Sequence, residues 1–147
     1  MTRRGFAADT KVPAFQSRAD IEKMLAAHRC SQYGTAIDYT LNTARVQFRA
    51  YDRVVRFVIS LPKRDMRNFD QLERQRWRQL LLVIKAKLEA VENQIATFEE
   101  EFLAHVVLPN DQTVGPILAP MIAAAYQTGH MPEALRALPA KGETGRS

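Results

Sequence analysis

The sequence predicts an α+β domain: a three-stranded antiparallel meander packed against one long helix, with shorter N-terminal and C-terminal helices. Three observations carry this reading. Between Ile37 and Leu61, apolar and polar residues alternate in three short runs separated by turn-like pairs, the period-2 pattern of strands with one buried face. From Trp77 to Phe102, apolar residues recur every three or four positions, the spacing of a helix with one apolar stripe. The sheet face and the helix stripe each need cover, and packing one on the other supplies both.

Residues 1–16 lack periodicity and contain Gly5 and Pro13, so a flexible basic arm is expected there. Ser17-Arg18-Ala19-Asp20 then matches the S-x-x-D helix-start pattern. Ile21, Met24, Leu25 and His28 follow on one helical face, giving a short helix that ends near Arg29. Ile37, Tyr39 and Leu41 form the apolar face of the first strand, with Asn42-Thr43 as its turn. Asp38 is expected beside Gln47 across this hairpin. Val46, Phe48 and Ala50 form the second strand's apolar face, Tyr51-Asp52 the second turn, and Val55, Phe57, Ile59 and Leu61 the third strand. Pro62 ends the meander because it cannot donate to the ladder.

Lys63 to Phe69 is a basic loop, and Asp70 is the expected N-cap of the longest element. Trp77, Leu81, Ile84, Leu88, Val91, Ile95, Phe98 and Phe102 predict a helix from Asp70 to Ala104. Thr97-Phe98-Glu99-Glu100 is itself a capping-box pattern, which leaves open a break and restart there. Val106 to Asp111 reads as a short extended piece and a turn. Gly115-Pro116 opens a last helix, Ile117 to Thr128, with Gly129 as its C-terminal cap. A single domain is expected over 17–139 and a disordered tail over 140–147.

A chain of 147 residues that is 46% hydrophobic suits one core. The single cysteine, Cys30, has no partner within the chain, and no secretory leader is read, which fits a reducing, cytoplasmic setting. The longest apolar runs, Leu80–Ile84 and Met121–Tyr126, fall far short of the ~20 residues of a membrane span. The run Leu80–Ile84 makes the long helix apolar all round at that point, which predicts a homodimer through this helix.

Net charge is +5, unevenly spread. Residues 1–78 carry sixteen Lys/Arg against eight Asp/Glu (+8), and residues 79–147 carry five against eight (−3). Such asymmetry points to a polyanion-facing surface. The assigned register turns Arg45, Arg49 and Arg56 outward, so their substitution should leave the core untouched. Arg53 sits at the second turn, and Lys63, Arg64 and Arg67 follow in the basic loop. These seven residues are the candidate nucleic-acid contacts, since guanidinium groups pair with phosphates and stack on bases. No aromatic pair for base stacking falls among the outward residues.

Other constellations read as structural. Glu99-Glu100-Glu101 point about 100° apart on a helix and cannot converge on one ion. Glu101 and His105 are spaced for a local i, i+4 pair. His28, His105, His130 and Cys30 have no ligand-type spacing. There is no phosphate loop, nucleophile elbow, C-x-x-C or H-E-x-x-H pattern. The expectation is a non-catalytic protein with no cofactor and no metal.

RQRWRQLLLVIKAKLEAVE at residues 74–92, running into IATFEEEFLAHVVLP at 95–109, resembles a family of small bacteriophage and prophage proteins of no established activity. Thr113-Val114-Gly115, YQTGHMP at 126–132 and the hairpin from Phe48 to Phe57 share the resemblance, which covers residues 17–139. It implies a setting, a phage or mobile-element genome in a bacterial cytoplasm, and no residue roles. Two functions follow as expectations. One is a nucleic-acid-binding accessory factor of phage DNA metabolism. The other is a protein-binding inhibitor of a host defence complex, an anti-CRISPR-like or other anti-defence factor.

Overall fold

The computed structural model describes residues 10–136, so the expected tail at 140–147 and the arm's first nine residues lie outside the described residues. The elements run α1 (Ala14–Ala26), β1 (Cys30–Asp38), β2 (Thr43–Ala50), β3 (Arg53–Ser60), α2 (Phe69–Glu92), α3 (Phe98–Phe102), a 3-10 turn (Leu103–His105), α4 (Val114–Thr128) and α5 (Glu133–Arg136). The strands form an antiparallel sheet in the order β1-β2-β3, and the α+β meander with a long helix against it is the architecture observed.

The alternation of β2 and β3 sets the core. Ala44, Val46, Phe48 and Ala50 from β2, with Val55 and Phe57 from β3, turn to one face and are buried. Trp77, Leu81, Ile84 and Leu88 of α2 join them in one cluster, with Ile59 and Val91 at its margin. Ile21 and Leu25 of α1 complete it.

Several boundaries depart from expectation, among them the start of the last helix, at Val114 and not Ile117. The first helix begins at Ala14, not Ser17, with Pro13 before it. Ser17 caps nothing; it is fully buried, because Ala14, Ser17, Ile21 and Leu25 share the face that meets the core. The helix also ends at Ala26, so His28 lies beyond it, its Nδ1 2.8 Å from the Met24 carbonyl.

The first strand is displaced toward the N-terminus. Tyr39 and Leu41 are not on its buried face but in the turn, 62% and 70% exposed. Asp38 causes this: its Oδ1 accepts from the N–H groups of Thr40 (2.8 Å) and Leu41 (2.9 Å), an Asx turn that stops the ladder. The turn therefore spans Tyr39 to Asn42, and Asp38 pairs with Thr43 rather than lying beside Gln47, whose partner is Gly34. The second turn falls at Tyr51-Asp52 as expected, with both residues at positive φ, the geometry that matches strand twist in a two-residue hairpin.

The long helix starts at Phe69, with Asn68 at the cap position and Asp70 inside the first turn, and it stops at Glu92. Gln94 takes a left-handed φ of 60°. Thr97 then opens α3 with a complete capping box to Glu100. An unbroken helix over 70–104 would run about 52 Å, twice the ~27 Å of an eight-residue strand. The break instead folds Phe98 and Phe102 back onto the sheet. Phe102 meets Phe48 and Phe57 edge-on at 5.9 and 6.2 Å, and Phe98 stacks on Tyr51 at 4.6 Å. Ile95, expected in the stripe, is 80% exposed. Glu101 pairs with Lys87 (3.5 Å) rather than His105, and His105 lies on the Phe57 ring at 4.1 Å.

Candidate nucleic-acid interface

The outer face of the sheet is built by the register. Arg45 stands between Ala36 and Val58, and Arg49 between Gln32 and Val54. Both are exposed, and neither guanidinium forms a hydrogen bond or ion pair among the described residues. Their spacing along β2 is about 13 Å.

Arg56 occupies the same face but is only 8% exposed, which corrects the expectation that it is free. After the 3-10 turn the chain runs along β3: Val106 bridges Val55, and the Val107 N–H donates to the Val54 carbonyl at 2.8 Å. The following turn folds over the sheet and sets Asp111 on Arg56. The guanidinium donates to the Asp111 carbonyl (2.8 Å), to its Oδ1 (2.5 Å) and to Gln47 Oε1 (2.9 Å). Substituting Arg56 therefore does not leave the interior untouched.

Arg53 is also engaged. Its Nε and Nη2 donate to the two carboxylate oxygens of Glu99 at 2.8 and 3.2 Å. This bidentate pair holds the Glu99 carboxyl below the usual carboxylate range and raises Arg53 further. Both groups are solvent-exposed, so the contact adds little stability.

The remaining cations converge at one end of the sheet. The Leu61 N–H donates to the Asn42 carbonyl at 2.7 Å, tying the basic loop to the first hairpin turn. Lys63, Arg64 and Arg67 are exposed there, past the Thr43–Ser60 pair that ends the ladder beyond Arg45. Arg64 lies 4.4 Å from the Tyr39 ring centroid, a cation–π distance.

Beside Tyr39 a groove of about 570 Å³ opens between α1 and β1, lined by Phe15, Arg18, Tyr33, Thr35 and Ile37 among others. Phe15 is 65% exposed. The Thr35 hydroxyl donates to the Tyr33 oxygen at 2.8 Å, and burial pushes the Tyr33 phenol above its ordinary pKa, so it stays neutral at physiological pH.

Sequence reasoning missed this aromatic wall. It placed Tyr39 in the core and Phe15 in the arm. The signal for Tyr39 was Asp38, an Asx-turn residue followed by Thr40, Leu41 and Asn42. The hairpin-turn end offers the cations of the loop and the exposed Tyr39 ring, the outer face adds Arg45 and Arg49, and the groove with Phe15 opens on the opposite face of the sheet, beside α1.

Among the described residues no group of three or more His, Cys, Asp or Glu could hold a metal ion, and no helix is long and apolar enough to cross a membrane. His28 faces Glu92 at 3.6 Å, and the Cys30 thiol donates to the Gln32 carbonyl at 2.9 Å. Burial and nearby Lys87 lower the His105 pKa. No family model, no curated protein and no solved structure matches this chain.

Proposed function

We propose that the protein is a non-catalytic nucleic-acid-binding factor that takes a single strand at the hairpin-turn end of its sheet. The observation that carries this reading is the junction of the first hairpin turn with the basic loop. There Arg64 lies over the exposed Tyr39 ring, Lys63 and Arg67 are exposed in the same loop, and Arg45 is exposed on the outer face at the same end of the sheet. Cations tracking a backbone beside rings that accept any base are the recurring parts of sequence-tolerant single-strand binding. A duplex keeps its bases stacked and could use only the cations. Together with the resemblance to phage proteins, this suits an accessory role in phage DNA metabolism in a bacterial cytoplasm.

The test is fluorescence anisotropy with a single-stranded and a duplex oligonucleotide, DNA and RNA in turn. Tyr39→Ala should weaken single-strand binding by about 1–3 kcal/mol, the contribution of one stacked base, and leave duplex binding nearly unchanged. Equal loss on both substrates would remove the stacking role. The alternative, capture of a host protein, would appear as no binding to any oligonucleotide at low salt.

A further inference from the structure

Helix α4 is 15 residues long, carries no charged side chain, and buries none of its residues. It touches the rest of the chain at its root. There, Gly115 rests on the 3-10 turn so closely that a Cβ would lie 3.1 Å from the Ala104 carbonyl oxygen. Beyond that turn, Ile122 is 50% and Tyr126 88% exposed. A helix of this length is marginal alone, and Pro120 in its interior removes a backbone bond and disfavours it further. Its stability therefore has to come from cover that the described residues of one chain do not provide.

The same chain carries an open apolar groove of about 660 Å³ between β3 and α2, lined chiefly by Phe57, Ile59, Leu80, Leu82, Val83 and Ala86. It lies where the long helix is apolar all round. Val83 is left 45% exposed. His105, next to the residue on which α4 is rooted, lines the rim of this groove. We infer that the protein is a two-fold dimer in which α4 of each copy lies in the β3–α2 groove of the other.

Three physical arguments favour a second copy over other occupants. The helix and the groove begin at the same 3-10 turn, so a two-fold axis near it brings each helix to the partner's groove, and both contacts form at once. Neither surface presents a carboxylate. The one fixed charge in the groove, Arg76, already donates to the Ser60 carbonyl at 2.9 Å, so no charge is buried without a partner. Finally, a helix about 22 Å long and 10 Å wide laid to half its depth covers about 350 Å² on each side. Two such contacts bury about 1,400 Å² in total, within the range of stable interfaces. A bilayer is disfavoured: the helix is shorter than the ~30 Å hydrocarbon core, and acidic Asp111 and Glu133 flank it.

Light scattering of the full chain at micromolar concentration should give twice 16.7 kDa. Ile122→Glu on the helix and Val83→Glu in the groove both alter exposed positions, so each monomer should fold, checked by circular dichroism. Each should weaken dimerisation about a hundredfold or more, since every dimer then buries two unpaired carboxylates. Tyr126→p-benzoylphenylalanine, irradiated in a mixture of isotopically light and heavy protein, should cross-link to α2 of the other copy. A wild-type mass of 16.7 kDa would overturn the inference. So would a dimer that survives Val83→Glu, or cross-links confined to α4 or to the same chain.

Discussion

Replacing Trp77 by alanine should lower the unfolding free energy by about 3–5 kcal/mol, a large share of the roughly 5–15 kcal/mol a domain has. The ring is fully buried in the cluster that joins α1, α2 and the sheet, and the Arg18 guanidinium covers it at 5.1 Å. Removing it leaves a cavity bounded by three elements that cannot all close in. Trp77→Phe should cost far less, about 1 kcal/mol, because the indole N–H finds no acceptor in the core and a ring of similar shape removes that orphan. Trp77 is the only tryptophan, so urea unfolding should be followed by far-ultraviolet circular dichroism. An alanine variant within 1 kcal/mol of wild type would contradict the packing described.

The second large effect belongs to Arg56. Arg56→Ala should destabilise the fold by about 2–4 kcal/mol, because it breaks three charge-assisted bonds and strips cover from the outer sheet face. Asp111→Ala should cost only about 1 kcal/mol. Its carboxylate is 78% exposed and screened by water, and its backbone carbonyl still accepts from Arg56. Arg45→Gln and Arg49→Gln, on the same face but in solvent, should stay within about 0.5 kcal/mol of wild type. Thermal melts of the four variants would separate the buried arginine from its exposed neighbours. Equal effects at 45 and 56 would mean that the Asp111 turn does not hold the guanidinium.

How much of this was legible in the sequence depends on whether the cause was local. β2 and β3 were readable because their alternation is strict and the Tyr51-Asp52 turn is short. β1 was not: Cys30 to Ala36 has no alternation, and the strand exists because β2 offers it a ladder. The long helix was read through its end because Phe98 and Phe102, four apart on a new helix, continue the period across the break. Only the Thr97 capping box signalled otherwise. Ser17 matched a cap pattern, yet the packing of Ala14, Ile21 and Leu25 drew it inside.

The candidate surface divides in the same way. The exposed positions of Arg45, Arg49, Lys63, Arg64 and Arg67 follow from register and from the loop's composition. The loss of Arg53 and Arg56 to Glu99 and Asp111 arises from contacts 46 and 55 residues away, for which no local pattern exists. Tyr39 joined the surface by the opposite route, a local Asx turn overriding its apolar character.

The central claim is that cations at one end of the sheet hold a nucleic-acid strand through its phosphates. Its most direct test is the salt dependence of single-strand binding, measured for wild type and for a variant carrying Arg45→Gln, Lys63→Gln, Arg64→Gln and Arg67→Gln. All four side chains are exposed, so the fold should persist. Each lost phosphate contact flattens the logarithmic salt slope by about 0.7 on single strands, so the variant should bind more weakly and lose roughly three units of slope. A wild-type protein that binds no strand at low salt, or a variant whose slope is unchanged, would contradict the account.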